Sequence, residues 1–145
     1  MPNDLLSLAN QLEKLTGQLE DAANEKKQEV ATVIVRDLLY STPVDTSKAV
    51  SNYKADLGAA VAGVAAPFSP GQGGTTRDAS ISAALAEAMA VISKSKPGQA
   101  IVLSNWVEYL QYLNDGSSQQ AAAGFVEAAV FKGRKHAEST GLEIR

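Results

Sequence analysis

Leucine recurs at positions 5, 8, 12, 15 and 19, and Ala22 takes the next place, so steps of three and four alternate along the start of the chain. Only an α-helix gathers such positions into one apolar seam. Lys26 and Glu29 interrupt the seam, which resumes, shifted by about one residue, with Val30, Val33, Ile34 and Leu38. The spacing predicts one helix from Asp4 to about Tyr40, with Asn3 as its N-cap. Thr42-Pro43 ends it, because the residue before a proline is driven out of the α region. Gly17 weakens the middle by about 1 kcal/mol relative to alanine. At 1.5 Å per residue such a helix spans roughly 55 Å, more than a domain of this size covers. Two readings follow: the helix packs wholly on its own domain, or part of it meets another subunit.

The remaining sequence has to supply the rest of the core. The chain has 145 residues, enough for a single domain, read here as 1–145. Alanine supplies much of the 45% apolar share and aromatics only 6%, which predicts a thin core with closely approaching elements. In TPVDTSKAVSNYKADLG (42–58), turn and cap formers lead into a short strand at about Tyr53–Leu57. AAVAGVAA (59–66) is expected to pair with it across a turn at Gly58. Residues 67–80, PFSPGQGGTTRDAS, form the longest loop. A second helix is predicted over Ile81–Ser93, with Ile81, Leu85, Ala88, Met89 and Ile92 facing inward. QAIVLSN (99–105) reads as a buried strand, and 106–113 as a short helix. Asp115-Gly116 marks a turn. A third main helix is predicted from Gln120 to about Ala137, with Phe125, Ala128, Ala129 and Phe131 apolar, and 138–145 as a frayed tail. The fold class is therefore α+β: a small β-sheet packed with helices (core 42–137) behind a long N-terminal helix (1–41).

Few sites for chemistry emerge. GQGGTT (71–76) lacks the lysine of a phosphate-binding loop and follows a proline-rich stretch rather than a strand, so a flexible loop is the better account. His136 stands near an exposed helix end with no serine motif or metal-spaced partner, where it complements the helix dipole. Glu20-Asp21 is an ordinary surface pattern. With no cysteine, disulfides and thiolate sites are excluded. No cofactor or metal is expected, and nothing supports an enzyme. A formal charge of −3 argues against a dedicated nucleic-acid binder, and KGRK (132–135) reads as a solvated helix end. No apolar run is long enough to span a membrane, and the start has no cationic leader, so a soluble, cytoplasmically made protein is expected. Trp106, Tyr109 and Tyr112 recur every three residues, either as core packing or as interface anchors.

Three blocks taken together resemble one family. TPVDTSKAVSNYKADLG is similar to its "TPVDTG…SNW…LG" segment, and PFSPGQGGTTRDASISAALAEAMAVI to its "sPG…GST" loop and following helix. GQAIVLSNWVEYLQYLNDGSSQQAAAGFVEAAV resembles its "isN…pY…LNxGsSxQAPxGfv" run, the most specific of the three. The family is that of the neck and tail-completion (head–tail joining) proteins of tailed bacteriophages, and the resemblance covers about residues 42–131. Ser47 stands where the family has glycine, and Ala122 where it has proline, which would let the third helix begin early.

The resemblance implies a non-enzymatic virion protein, assembled in the host cytoplasm, that forms a ring at the head–tail interface. A hexamer is favoured and a dodecamer is the alternative. The implied partners are portal-side neck proteins and tail tube or terminator proteins, with DNA passing through an acidic lumen without specific binding. Leu12, Leu15, Leu19, Phe68, Ser69, Pro70, Trp106, Tyr109 and Tyr112 are the expected subunit or partner contacts. Asn114, Asp115, Gly116, Ser117, Ser118, Gln119, Gln120 and Gly124 form an expected structural joint, its polar side chains capping the third helix while Gly124 lets that helix lie close to the sheet. The rival reading is a small soluble adaptor that binds one partner through its N-terminal helix as a coiled coil.

Overall fold

A computed structural model describes residues 4–144; the expected cap at Asn3 lies outside them. The long helix forms as the seam requires, as α1 (Asp4–Ser41), followed by a short α2 (Lys48–Ser51) and β1 (Lys54–Leu57). Then come α3 (Arg77–Ile92), β2 (Ile101–Ser104), α4 (Leu110–Asn114) and α5 (Phe125–Ser139). The protein is α+β, with one two-stranded antiparallel sheet in which Lys54 faces Ser104 and Leu57 faces Ile101.

The partner of β1 is thus not 59–66. That segment is alanine-rich, offers little side-chain bulk to a pleated face, and runs exposed from Gly58 to Ala66. β2, with β-branched Ile101 and Val102, takes the place instead, although its residues are half-buried rather than buried. Part of the exposed segment is held by Asn52, a nearly fully buried side chain. Its Oδ1 accepts from Ala65 N–H at 2.7 Å and its Nδ2 donates to Ala65 C=O at 3.0 Å.

The core lies where α1, α3 and the sheet meet. Val35, Leu38 and Leu39 of α1 pack with Ile81, Ala84, Ala88 and Ile92 of α3, and with Val50, Tyr53 and Ala55. Small residues at 84 and 88 let the helices approach, while Met89, expected inside, is 40% exposed. α3 starts four residues earlier than predicted because Arg77 is anchored: its Nη2 donates to Tyr40 C=O at 2.7 Å and its guanidinium lies over the Tyr40 ring. Asp78 complements the positive end of that helix.

Thr42 closes α1 by donating its hydroxyl to Leu38 C=O at 2.6 Å, which leaves Tyr53 O–H to donate to Thr42 Oγ1 at 2.8 Å. Burial pushes the Tyr53 phenol up to about 12. The folded state therefore holds the proton more tightly than the unfolded chain, whose tyrosine titrates near 10. This contribution to stability is complete below pH 10 and is lost as pH rises through about 12. Denaturant midpoints measured between pH 9 and 12 are expected to fall, and to fall less steeply in Tyr53→Phe.

α5 runs antiparallel to α1, as its pairings show: Lys132 with Asp37, Gly133 against Ile34 and Val30, His136 with Glu29, and Thr140 with Lys26. Contrary to expectation, α5 lies along α1 rather than on the sheet, and the glycine that permits close approach is Gly133, not Gly124. Phe125 and Ala129 are buried, whereas Ala128 and Phe131 face solvent. Lys26 and Glu29, which interrupt the seam in sequence, are the residues that tie α1 to the end of α5. Hydrogen bonds from Lys26 and His136 hold the Glu29 carboxyl below its ordinary range.

Candidate functional site

Two features stand out: a junction of three loops, and the projecting half of α1. The junction is built on the segment after α1. Asp45 gathers the glycine-rich loop, its Oδ1 accepting from Gly73 N–H at 2.7 Å and its C=O from Gly74 N–H at 3.0 Å. Gly73 and Gly74 both take positive φ, and a side chain at 74 would press on Val44 C=O. Ser47 Oγ and Thr76 Oγ1 are 2.9 Å apart, and Phe68 N–H donates to Ser51 Oγ at 3.0 Å. The loop expected to be flexible is therefore laced to the body. Phe68 and Pro70 are exposed on it, and Ser69 N–H reaches Ser80 Oγ at 3.2 Å. Ser47, where the resembling family has glycine, has φ 68°, a left-handed conformation that glycine adopts without strain.

The third loop joins through Gln120. Its Oε1 accepts from Val44 N–H at 2.9 Å and its Nε2 donates to Val44 C=O at 3.2 Å, so one side-chain amide pairs with a backbone like a neighbouring strand. Asn114 completes the turn. Its C=O accepts from Gly124 N–H at 2.7 Å, its Oδ1 from Val126 N–H at 2.9 Å, and its Nδ2 donates to both Glu127 oxygens. Asn114 and Glu127 thus do the capping expected of the following serines and glutamines. Ser118 Oγ instead accepts from Gln120 N–H, Ser117 N–H bonds Tyr112 C=O, and Asp115 N–H bonds Gln111 C=O. Gln119 is exposed. Gly116 (φ 95°) packs beside Ala123, and Gly124 (φ 80°) makes the break before α5. That break puts the start of α5 at Phe125, later than the sequence pattern at Gln120 suggested; Ala122 begins no helix.

The Asn114 bonds give a direct expectation. Losing a side chain that caps a helix costs about 1–2 kcal/mol, so Asn114→Ala is expected to lower the unfolding free energy by that amount, read from denaturant melts. The bonds from Asn114 also hold the Glu127 carboxyl below its ordinary range. That stabilisation is present above the unfolded carboxylate's pKa and fades as pH falls through the lower folded value. Comparing Asn114→Ala with the parent at pH 7 and pH 3 is therefore expected to show a smaller difference in acid.

Between these loops lies an open groove of about 340 Å³, lined by Pro43, Val44, Lys48, Tyr109, Leu113 and Gln120 among others. Burial raises the Tyr109 phenol, with a hydrogen bond to Thr46 opposing it. Trp106, Tyr109 and Tyr112 do not share a helical face, since α4 starts only at Leu110, and they are 48%, 38% and 68% exposed. Core packing is not their role. Val107 goes inside instead, its N–H held by Asn105 Oδ1 while Asn105 Nδ2 reaches back to Ala49 C=O.

The second feature is the start of α1. From Asp4 to Asp21 no residue is buried. Leu5, Leu8, Leu12, Leu15 and Leu19 are 84%, 51%, 55%, 42% and 41% exposed, and burial begins at Ala22. This overhang is about 27 Å long. Of the two readings of the long helix, the one in which it packs wholly on its own domain does not hold: α1 outruns that domain.

Asn52, Arg77 and Gly133 were missed as organising residues, while Asp45 was read only as a turn and cap former. Asn52, a polar residue inside an otherwise buried run, was the one with a visible signal in the sequence. His136 is engaged with Glu29, and no cluster of His, Asp and Glu fit to hold a metal occurs among the described residues. No helix among them is long and apolar enough to cross a membrane. No protein-family model, curated protein or solved structure matches this chain.

Proposed function

We propose that the chain is a non-enzymatic structural protein of the tailed-phage neck, forming a ring that joins or completes the tail at the head–tail interface. The observation that carries this reading is the overhang: five leucines on one face of a free helix are an assembly surface awaiting its cover. The junction supports it, because the three segments that resemble the family meet there and lock loop angles through hydrogen bonds rather than forming a reaction centre. Phe68, Pro70, Trp106 and Tyr112 add exposed anchors around the body. Heterologous contacts that close on themselves make a ring, six copies being favoured over twelve, and a net acidic lumen lets DNA pass. Neck proteins on the portal side and tail tube or terminator proteins are the partners in this reading.

Light scattering of the purified chain, alone and with neck partners, is expected to give a multimer mass. Labelling is expected to place it at the neck of intact particles. A strict monomer absent from particles would refute the proposal.

The adaptor reading draws on the alternating three- and four-residue seam, the geometry of a coiled coil. Removing residues 1–21 separates the two: an adaptor loses all partner binding, whereas a neck protein keeps the contacts made by its loops.

A further inference from the structure

What covers the overhang can be read from what covers the rest of the same helix. Beyond Ala22, the side of α1 that carries Lys26, Glu29, Val30 and Ile34 is occupied by α5, running antiparallel and ending at Ser139. α5 stops where the exposed leucines begin, and its end meets a cleft of about 420 Å³ in which Ala22 and Leu142 lie among the charged Glu25, Lys26, Glu29 and Glu143. A second helix laid on the leucines in the direction of α5 would continue its line.

The chain itself supplies a helix with the right spacing. The seam positions are 5, 8, 12, 15, 19 and 22, and turning the row end for end about its centre maps it onto itself: 5 onto 22, 8 onto 19, 12 onto 15. The positions flanking the four central leucines are Ala9, Gln11, Thr16 and Gln18, while Asp4 and Glu25 flank the outer ends of the row. The central flanks carry no charge, so identical copies meet there without repulsion and without the sign pairs that would select a different partner. Only the ends bring Asp4 of one copy near Glu25 of the other, beside Lys26. Glu13, Lys14, Glu20 and Asp21 lie on the far side of the helix, clear of the contact.

We infer that the overhang's occupant is the overhang of a second copy, packed antiparallel about a two-fold axis, Leu12 on Leu15 and Leu8 on Leu19. Leu5 of each copy then reaches the cleft that Ala22 and Leu142 line in the other. This rests on the reading of the seam as an assembly surface and adds its partner, direction and register. An isologous contact joins copies in pairs, so assemblies held by it contain even numbers of chains.

The absence of cysteine makes a disulfide test clean. Leu8→Cys and Leu19→Cys are made separately, both at exposed positions, and circular dichroism checks that helicity is retained. Oxidised alone, each variant is expected to stay unlinked. Mixed in equal amounts they are expected to form an 8–19 disulfide, found by mass spectrometry, in up to half of the chains. Self-linking of each variant alone would show parallel helices and overturn the proposal while leaving self-assembly intact. No link in any mixture, with a multimeric parent, would place assembly on another face and also overturn it. A monomeric parent would sink both this inference and the ring.

Discussion

Gly133→Ala is expected to destabilise the fold by about 1–3 kcal/mol, although alanine is the better helix former by about 1 kcal/mol. Gly133 is buried in α5, and a Cβ there would overlap Cγ1 and Cδ1 of Ile34 and lie 3.4 Å from Cγ1 of Val30. Ile34 cannot swing clear as a lysine would, because its branched side chain is packed against the core. The helices must therefore separate, which strains the flanking pairings of Lys132 with Asp37 and His136 with Glu29. Thermal melts should show a midpoint several degrees lower. The second-site change Ile34→Ala is expected to restore most of the loss when added to Gly133→Ala, and to destabilise when made alone. If the two costs simply add, close packing at Gly133 is not what holds α5 on α1.

Leu12→Glu/Leu15→Glu/Leu19→Glu is expected to abolish pairing through the overhang while leaving each subunit as stable as its parent. These side chains are 55%, 42% and 41% exposed and belong to no buried cluster of their own domain, so folding gains little from them. Covering a leucine fully contributes about 1.5–3 kcal/mol, and covering the exposed half about 1 kcal/mol. Three leucines lost from each of two copies remove about 6 kcal/mol, a factor of roughly ten thousand in the dissociation constant, before any cost of burying carboxylates. Sedimentation should show loss of the species paired through the overhang at all concentrations, and urea unfolding an unchanged or higher midpoint. A drop in monomer stability would mean that the overhang folds back on its own body.

Sequence periodicity carried the helices well and the sheet poorly. The seam of α1 and the stripe of α3 repeat with helical period over several turns, and both helices appear where that period puts them. The partner of β1 was missed because nearness in sequence favoured 59–66, whereas pairing is decided by which segment can pack a pleated face. Ile101 and Val102 do this, 44 and more residues further on, and alanines do not. The start of α5 was misplaced because alanine propensity outweighed one glycine, yet Gly124 takes a left-handed turn that no helix interior allows. At the junction, the turn at Asp115-Gly116 was visible as local chemistry. The bond from Gln120 to Val44 spans 76 residues and leaves no local trace. Gly133 was hidden for the same reason: a glycine in a helix looks like a weakness until the helix facing it is known.

The lacing of α1 to α5 also sets an order on biosynthesis. Lys26 to Thr140, Glu29 to His136 and Asp37 to Lys132 join residues 114, 107 and 95 positions apart. α1 therefore leaves the ribosome long before its cover is made, and at about 5–20 residues per second it waits roughly 4–20 s. During that time a nascent chain presents two sticky faces, the one meant for α5 and the one left bare in the finished domain. Premature termination before Phe125 would release the first as well as the second, so aggregated fragments, rather than soluble ones, are the expected products of an interrupted message.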